Sequence, residues 1–446
     1  MQVAIVGGGV LGLTLAHRLS ARGHRVTLLE AEPRLGGLAC AHDYGRFTWD
    51  RFYHCILPQD SATLGLVREL GLEASLRWSR TGTGYYGDGR MFDMNGNADF
   101  ARFPLLSLVD KARLGAAVVW ATRFADPWRL YRVTAEAWLT RLCGRRGYEV
   151  FWQPLLRAKF GPFHDRVAAV FIWATLKRLF AARSAGTASE KLGYVEGGYA
   201  AIVGRLAERL ASRGAEVHTS ARVTALRRTD DGACEVAWEQ DGAPRSRTFD
   251  QVLWTAPTAL AMKAASPELQ PHLEATARDY PTSATYLGVA CLVLALKKPL
   301  TRWYVLNLGD SSIPLTGVIE MTNLVARDQT DGLSLVYLPR YLASDDPTFD
   351  LPDDAIAEPM LAKGIERLFP SFDRRDIVYQ GVHRARLVQP LPLVRPHGGG
   401  RDGDVPGVER PLQVLNTSML ACATLNNDEV IALVDRFVAS NAAAFA

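Results

Sequence analysis

The first 30 residues hold the pattern that most constrains what this chain can fold into. An apolar run at 3–6 is followed by a helical stretch at 13–22 and by a second apolar run that ends at Glu30. Between the first run and the helix stand three glycines in the spacing G-x-G-x-x-G: Gly7, Gly9 and Gly12. This order of strand, glycines, helix, strand and acid predicts a Rossmann-type unit that binds a dinucleotide.

Each part of this unit has a physical task. The first glycine allows a tight turn, the second lets the backbone approach a pyrophosphate, and the third lets the helix pack closely on the strand. The N-terminus of the helix offers free N–H groups and the positive end of its dipole to the phosphates. The carboxylate of Glu30, at the end of the second strand, is positioned to accept hydrogen bonds from a ribose.

The residues after Glu30 distinguish between the two candidate dinucleotide cofactors, NAD and FAD. The chain continues AEPRLGG, which gives Arg34 and the double glycine Gly36-Gly37. From Gly7 to Gly37 the sequence resembles the FAD-dependent amine oxidase, protoporphyrinogen oxidase and phytoene desaturase superfamily, to which UDP-galactopyranose mutase is more distantly related. The resemblance implies that FAD is the cofactor. It also implies that the double glycine carries the chain back past the pyrophosphate and that Arg34 neutralises phosphate charge.

The resemblance extends to two later segments. The stretch 196–226 is similar to the family's second cofactor segment, in which a valine, here Val223, contacts the adenine end through its backbone. The stretch FDQVLWTAP, at 249–257, resembles the strand that follows, which ends near the flavin, and this places Thr255 at the cofactor.

The C-terminal stretch LNNDEVIALVDRF, at 425–437, stands where the family has its last cofactor motif. That motif puts a helix N-terminus under the ribityl-pyrophosphate. Most relatives carry glycine-rich sequence and a Gly-Asp pair before this helix, whereas this chain has Asn426, Asn427 and Asp428. Asparagine can cap a helix and bond a ribityl hydroxyl, so we expect Asn426 and Asn427 to contact the cofactor.

These segments together imply an α/β fold with a Rossmann-type (GR2-like) FAD-binding domain, an antiparallel-sheet substrate domain and a helical insertion. We expect a discontinuous FAD-binding domain over 1–78, 190–262 and 376–446. The substrate domain is expected over 79–99 and 263–375, and the insertion over 100–189. A hairpin is predicted at 83–96 from the turn signal Asp88-Gly89. Apolar runs separated by turn signals predict four strands of the antiparallel sheet, at 285–296, 302–308, 314–322 and 333–341.

The stretch DRFYHCI, at 50–56, is unusually polar for a strand that the resemblance places under the flavin ring. A strand sends successive side chains to opposite faces, so Phe52 and His54 should share one face and Arg51 and Tyr53 the other. We predict that His54 lies next to the ring, since an imidazole can donate or accept near neutral pH. Tyr53 is a second catalytic candidate. The alternative is that His54 is a buried structural residue and that Asp50 and Arg51 form a local ion pair.

The predicted sheet carries further polar candidates. Burial would raise the pKa of Glu320 and let it act as a base, whereas an edge-strand acid paired with a surface cation is the alternative. Arg384 and Arg386 could hold an anionic group of a substrate, and a surface pair fits the sequence equally well. The substrate candidates on this sheet are Tyr304, Asn307, Asn323, Tyr337, Arg384 and Arg386.

Charge is distributed unevenly along the chain. The net charge is +4, yet the segment 100–183 holds 15 lysines and arginines against 5 acids, and five of the ten tryptophans. Tryptophan with basic residues is typical of an interfacial membrane surface. The resemblance implies that this insertion meets a bilayer and admits a lipophilic substrate, as in protoporphyrinogen oxidase and phytoene desaturase relatives. The alternative is a soluble helical domain with the tryptophans in its core. No nucleic-acid binding motif accompanies the charge.

Other classes find little support. The six cysteines are scattered and show no metal-binding spacing, so we expect reduced thiols and no metal. The charge-free stretches 280–296 and 411–427 are shorter than the roughly 20 residues that span a bilayer, so we predict no transmembrane helix. A strand pattern begins at residue 2, which argues against a signal peptide. We expect a cytoplasmic protein, with peripheral contact at the inner, anionic face of the membrane left open, together with the oligomeric state.

The leading interpretation is an FAD-dependent oxidoreductase, that is an oxidase, dehydrogenase or desaturase, taking a hydride from a lipophilic small molecule onto flavin N5. One alternative is a non-redox sugar mutase that resembles UDP-galactopyranose mutase and uses reduced FAD as a nucleophile. The other is a catalytically silent, flavin-bound partner in a pathway.

Overall fold

The structure is a computed structural model that describes residues 1–183, 190–395, 400–401, 403–421 and 425–445 of the 446-residue chain. One of the six cysteines, Cys422, lies outside the described residues, and the other five carry free thiols.

The strands are numbered in chain order. They are β1 (Gln2–Val6), β2 (Arg25–Leu29), β3 (Ala41–Asp43), β4 (Thr48–Asp50), β5 (Leu76–Thr81), β6 (Thr83–Gly87), β7 (Arg90–Asp93), β8 (Glu190–Val195), β9 (Glu216–His218), β10 (Ala221–Arg228), β11 (Cys234–Gln240), β12 (Ala243–Phe249), β13 (Gln251–Trp254), β14 (Tyr286–Leu296), β15 (Val305–Leu308), β16 (Gly317–Glu320), β17 (Ser334–Ala343), β18 (Ile377–Pro390) and β19 (Leu412–Val414).

The α-helices follow the same numbering. They are α1 (Val10–Ser20), α2 (Ser61–Glu69), α3 (Asn97–Arg102), α4 (Leu108–Phe124), α5 (Pro127–Leu130), α6 (Ala135–Gly147), α7 (Gln153–Phe160), α8 (Ala169–Arg183), α9 (Tyr199–Ser212), α10 (Thr258–Ala264), α11 (Gln270–Asp279), α12 (Asp353–Met360), α13 (Glu366–Leu368) and α14 (Asn427–Ser440). A π-helical turn, Tyr148–Trp152, joins α6 to α7.

A five-stranded parallel sheet in the order β19-β13-β1-β2-β9 forms the first layer. Its central strands are almost continuously apolar and buried, as expected where helices cover both faces of a parallel sheet. Residues of α1, α9 and α14 join these strands in one hydrophobic cluster. The predicted Rossmann-type unit is therefore present, and it draws strands from both ends of the chain.

A seven-stranded sheet in the order β18-β14-β17-β16-β15-β6-β7 forms the second layer. It is antiparallel except where β15 pairs parallel with β6, so the predicted antiparallel sheet is confirmed with one exception. The hairpin is also confirmed, because Asp88 and Gly89 both adopt positive φ, as a two-residue turn of type I′ requires.

The two faces of this sheet pack against different partners. The outer face, marked by Ala290 and Leu292 of β14, packs in one cluster with α12. The inner face, marked by Val289 and Cys291, packs against the segment that contains Phe52. Strand β14 is buried along its whole length because both of its faces are covered.

The helices α4 to α8 pack together in one cluster that also includes Leu287 of β14 and Leu391, which confirms the predicted helical insertion over the described residues. Trp138 is buried in this cluster, whereas Trp120 and Trp128 are exposed. No helix of the described residues is long and apolar enough to cross a membrane.

One expectation is wrong, and a second stays a prediction. The strand predicted through 50–56 is wrong: β4 ends at Asp50 and the next residues form an irregular segment, so their side chains do not alternate. The domain boundaries stay a prediction, and β18 is the element that fits them least. It lies within the range 376–446 that we assigned to the FAD-binding domain, yet it pairs with β14 in the seven-stranded sheet.

An ion pair joins the insertion to the segment that follows the double glycine and β4. Arg178 of α8 donates to both carboxylate oxygens of Asp60, at 3.0 and 3.1 Å. Asp60 is 5% exposed and also accepts from the backbone N–H of Leu57. Burial is the largest influence on this carboxyl and raises its pKa to about 6, against the opposing effect of Arg178.

We expect Asp60→Asn to reduce the dependence of stability on pH between about 4 and about 7. An acid whose pKa is raised on folding contributes stability below its unfolded pKa, about 3.9, and loses it as the pH rises through the folded pKa. Relative to the variant, the free energy of unfolding of the wild type should therefore fall by about 2–3 kcal/mol over this range. Urea unfolding of both proteins at several pH values measures these free energies. A difference between wild type and variant that does not change with pH would contradict a raised pKa of Asp60.

Candidate functional site

The turn between β1 and α1 is shaped by its glycines. Gly7 has a φ of +108°, and a Cβ there would lie 2.5 Å from Oγ1 of Thr255. A Cβ on Gly12 would lie 1.9 Å from the carbonyl oxygen of Gly7. The Thr255 hydroxyl donates to the carbonyl of Val6 at 2.9 Å, so it holds the end of β13 against the turn.

The double glycine closes over this turn from the other side. The N–H of Gly36 donates to the carbonyl of Gly8 at 2.8 Å, and a Cβ on Gly37 would lie 3.1 Å from Cα of Gly9. Gly36 and Gly37 both have positive φ, which other residues rarely adopt. We call Gly7, Gly9, Gly12, Gly36 and Gly37 the glycine cradle. Arg34 beside it is exposed and donates to the carbonyl of Ala41 at 3.2 Å.

The acid at the end of β2 is held by backbone donors. One carboxylate oxygen of Glu30 accepts from Gly8 N–H at 2.6 Å and the other from Glu32 N–H at 2.7 Å. The carbonyl of Glu30 accepts from the N–H of Ala221, the first residue of β10. Val223 lies two residues further along this strand, so the last part of the predicted second cofactor segment, 196–226, lies beside the acid.

The N-terminus of α14 lies near the start of α9. The Asn426 side chain caps α14 by accepting from Glu429 N–H at 3.0 Å. Asn427 forms a side-chain hydrogen bond with Tyr199, whose pKa burial raises well above its ordinary value. Asp428 accepts from the N–H of Thr63 at 2.8 Å and so connects α14 to α2.

Asp50 has a structural task that the sequence did not reveal. Its carboxylate is 1% exposed and accepts from Tyr199 N–H, at the start of α9, at 2.8 Å. Burial raises the pKa of this carboxyl, and the neighbouring His54 opposes the rise. The carbonyl of Asp50 accepts from the hydroxyls of Tyr44 and Tyr337.

His54 lies in a small cavity between β4, β8 and α9, together with Trp49 and Gly193. Its Nδ1 is 3.6 Å from Oδ2 of Asp50, which is an ion-pair distance and too long for a hydrogen bond. Within the described residues this buried Nδ1 has no hydrogen-bond partner. The ring centroid is 5.0 Å from that of Tyr199.

Tyr53 points to the inner face of the seven-stranded sheet. Its hydroxyl is 3.2 Å from the hydroxyl of Tyr341, and its ring centroid is 6.1 Å from that of Tyr337. Burial raises the pKa of Tyr53 and of Tyr337 well above the ordinary value, so both stay protonated near neutral pH. Tyr304 is buried in the same cluster. We call Tyr53, Tyr304, Tyr337 and Tyr341 the aromatic wall.

Two asparagines of the predicted set donate to backbone carbonyls, Asn307 between β15 and β6 and Asn323 to the loop before β15. The amide of Asn307 donates to the carbonyl of Gly84 at 3.4 Å. The amide of Asn323 donates to the carbonyls of Thr301 and Trp303, at 2.9 and 2.8 Å.

The structure does not bring Glu320 to the aromatic wall. Glu320 pairs with Val336 in the sheet, and both lie on the outer face, opposite Ile319 and Leu335. Its carboxylate is fully buried and accepts from Leu300 N–H at 3.0 Å and from the hydroxyls of Thr322 and Ser334. Burial raises its pKa as we expected, but these donors occupy its oxygens.

The two predicted arginines also lie away from the wall. Arg384 is 2.6 Å from Asp353, and Arg386 forms an ion pair with Asp350. They share the outer face with Val382, whereas His383 and Ala385 lie on the inner face. The alternative of a surface pair describes them better than a site for a substrate anion.

Two features near the wall were missed by sequence reasoning. The Lys159 ammonium lies 3.6 Å from the centroid of the Tyr341 ring. The rings of His42 and His383 are 4.3 Å apart, and burial lowers the pKa of His383 to about 3. Each pairing joins residues far apart in the chain, and neither carries a local sequence signal.

The parallel sheet and the glycine cradle define a flavin-dependent protein of Rossmann type. The family described as flavin containing amine oxidoreductase matches residues 12–385, and the chain belongs to this family. FAD is the cofactor of this family's structural relatives, and the residues present fit it. Only Cα of Gly37 approaches a Cβ built on Gly9, at 4.0 Å, so the backbone there is open to a close ligand. The predicted family, fold class, cofactor and class of enzyme, an FAD-dependent oxidoreductase, are confirmed.

Curated relatives match shorter segments. Putrescine oxidase of Kocuria rosea is 32% identical over 130 residues, which is 27% of this chain and 27% of that protein. Protoporphyrinogen oxidase 2 of Arabidopsis thaliana is 35% identical over 71 residues, 16% of this chain and 14% of that protein. The chain thus covers about a quarter or less of the length of these relatives.

Solved structures match over almost the whole chain. A putative protoporphyrinogen oxidase from Exiguobacterium sp. 255-15 gives a TM-score of 0.74 at 16% identity, covering 98% of each chain. Reduced UDP-galactopyranose mutase gives a TM-score of 0.65 at 16% identity, covering 88% of this chain and 84% of that one. At these identities the likeness shows the fold alone.

We expect Gly12→Ala to weaken FAD binding by ten- to a hundredfold, because the added Cβ forces the turn away from Gly7, and overpacking of this kind costs about 1–3 kcal/mol. The flavin content of the purified protein and the dissociation constant of FAD from the apoprotein measure the effect. The matched control is Gly204→Ala in α9, where a Cβ meets nothing within 4 Å. Equal flavin content in the two variants would show that the cradle does not hold the cofactor.

Proposed function

We propose that the protein is an FAD-dependent oxidase, dehydrogenase or desaturase that takes a hydride from a lipophilic small molecule. The observation that carries this proposal is that the segment after the double glycine contacts the seven-stranded sheet at the aromatic wall. The chain that leaves the double glycine passes through β3 and β4 and then places Tyr53 against Tyr341. An apolar substrate on this wall would lie beside the segment that the family resemblance assigns to the flavin.

In this proposal the chain holds FAD with residues from four segments. The glycine cradle would contact the pyrophosphate, Glu30 the ribose, and the backbone of Val223 the adenine end. The flavin side would be contacted by Thr255 and by the α14 N-terminus, with Asn426 and Asn427. Arg34 would neutralise phosphate charge. When bound, FAD supplies a hydride acceptor at N5.

The chain's own task would be orientation and exclusion of water. Tyr53 and Tyr337 carry protonated hydroxyls and are poor bases. Tyr53 can donate a hydrogen bond to a substrate, whereas Tyr337 already donates its proton to the Asp50 carbonyl. His54 would lie at the flavin side of the same segment, with its Nδ1 toward Asp50. Glu320 has no catalytic role in this proposal, and Arg384 and Arg386 do not bind the substrate, because all three lie on the outer face of the sheet.

The test is reduction of the bound flavin in the absence of oxygen. We expect loss of the visible flavin absorbance when the holoenzyme meets an apolar compound with a hydride-donating C–H bond, and its return when oxygen or a quinone is added. A flavin that needs prior reduction and then rearranges a nucleotide sugar without net redox change would overturn the proposal in favour of the mutase alternative. A flavin that reacts with neither class would favour the silent partner.

Lipophilic substrates reside in membranes, and the insertion carries a surface suited to one. Of the eleven large apolar side chains that are exposed in the described residues, seven lie between Leu108 and Val133. We call this set the apolar patch: Leu108, Val109, Val119, Trp120, Phe124, Trp128 and Val133. Leu108, Val109 and Val119 of α4 lie away from the side of the helix that holds the buried Leu114, Ala117 and Ala121, and Phe124 is the last residue of the helix.

Basic residues surround this patch, as in proteins that lie on an anionic bilayer. Arg113 and Arg123 of α4 and Arg129 and Arg132 after it are exposed. Each such cation near an anionic surface contributes about 1 kcal/mol, and salt weakens this part. Buried apolar area contributes about 25 cal/mol per Å² and persists in salt. We therefore propose peripheral contact of the apolar patch with an anionic membrane.

We expect the wild type to float with anionic phosphatidylserine vesicles in a density gradient and to float in part at high salt. The triple change Trp120→Ser, Phe124→Ser and Trp128→Ser should abolish the part that resists salt. The matched control changes three exposed apolar residues elsewhere, Leu260→Ser, Leu351→Ser and Val378→Ser, and should float like the wild type. Absence of flotation at both salt concentrations would exclude membrane contact and leave the oxidoreductase proposal standing.

A further inference from the structure

Lys159 is a cation of the insertion that reaches the inner face of the seven-stranded sheet. It lies near the end of α7, is half-buried, and places its ammonium over the face of Tyr341. Tyr341 belongs to β17, and its hydroxyl is 3.2 Å from that of Tyr53. The amine therefore stands at the junction of the insertion with the aromatic wall.

The position of this helix is fixed by hydrogen bonds that do not involve the amine. The hydroxyl of Thr316 donates to the carbonyl of Ala158 at 2.7 Å and accepts from the N–H of Tyr341 at 3.3 Å. Thr316 N–H donates in turn to the carbonyl of Pro339. These bonds hold α7 on β17, so Lys159 does not have to reach Tyr341 for the helix to pack there.

Lys159 lacks an acidic partner of the kind that some other cations of the insertion have. Arg178 pairs with Asp60 and Arg145 with Glu149. No ion pair within the described part of the chain involves Lys159. A half-buried ammonium with only an aromatic face beside it keeps donors free, and in a site of low dielectric it attracts an anion more strongly than a surface lysine does.

The Tyr341 ring beneath this amine carries a hydroxyl that contacts the Tyr53 hydroxyl. Burial keeps Tyr53 protonated, so at least one of the Tyr53–Tyr341 pair has a proton to donate outward when the other accepts. An oxygen anion over Tyr341 would thus meet an ammonium and a phenol donor together, with apolar side chains around them.

We propose that the substrate of this protein carries an anionic group, a carboxylate or a phosphate, which the Lys159 ammonium binds with the help of the Tyr53 and Tyr341 hydroxyls. This inference rests on the proposed function, because it assigns the substrate to the aromatic wall. It names the substrate class as an apolar molecule with one acidic end. The acidic end is bound at the insertion, and the remainder lies along the wall toward the cofactor.

The experiment measures binding to the holoenzyme by equilibrium dialysis, with four probes of one chain length: decanoate, decyl phosphate, decanol and decylamine. We expect the wild type to bind an anionic probe about tenfold or more tightly than decanol, since hydrogen bonds to a charged group are stronger than those to a neutral one. Lys159→Met should remove this preference and leave decanol binding unchanged. Lys159→Arg should retain most of it.

The matched control is Lys177→Met, because the Lys177 ammonium also lies over an aromatic ring, that of Trp173 at 4.9 Å, but on the exposed side of α8. It should bind all four probes as the wild type does. A preference for decanoate over decyl phosphate assigns a carboxylate, and the reverse assigns a phosphate. Equal binding of anionic and neutral probes by the wild type, or a preference that survives Lys159→Met, would overturn the inference. Since dialysis needs no turnover, either result is independent of whether the flavin is reduced.

Discussion

The buried carboxylate of Asp50 is the interaction on which the cofactor side of the structure depends. A carboxylate at 1% exposure is costly unless donors satisfy it, and the N-terminus of α9 supplies the Tyr199 N–H and the positive end of a helix dipole. The carbonyl of the same residue accepts from Tyr44 and from Tyr337 of the seven-stranded sheet. One residue therefore joins β4, α9 and β17, which belong to three different parts of the chain. The direction in which the chain leaves β4, and with it the position of Tyr53 and His54, follows from this.

The features that the sequence predicted are those that need only neighbouring residues. The glycine spacing implies a turn in which Gly7 and Gly12 have no room for a side chain, and the structure shows close approaches at both. The Asp88-Gly89 turn and the long apolar strand at 286–296 are equally local. The stretch 50–56 could not be predicted in the same way, because β4 ends where Asp50 turns to meet a helix 149 residues away.

The face on which a side chain lies is harder to predict than the strand that carries it. In a strand a shift of one residue moves every side chain to the other face. Strand β18 contains a bulge opposite Leu287 and Val289, which changes the phase of pairing just beyond Ala385 and Arg386. Arg384 comes before this bulge and pairs with Ala290 of the outer face, so Arg384 and Arg386 face Asp353 and Asp350 on the outer side. Lys159, which no local pattern marks, reaches the inner side because a hydrogen bond from Thr316 holds its helix there.

The two faces of the seven-stranded sheet thus differ in whether their charged groups have partners within the protein. On the outer face each predicted charge has a partner: the arginines have aspartates, and Glu320 has hydroxyl and backbone donors. Groups satisfied in this way stabilise packing and have little left to offer a ligand. On the inner face stand protonated tyrosines and one ammonium with no acidic partner among the described residues. An unpaired donor in an apolar wall gains most from a ligand that brings the missing acceptor. The same molecule would need an apolar body to cover the wall, and the insertion that supplies Lys159 also carries the apolar patch that we propose contacts a membrane.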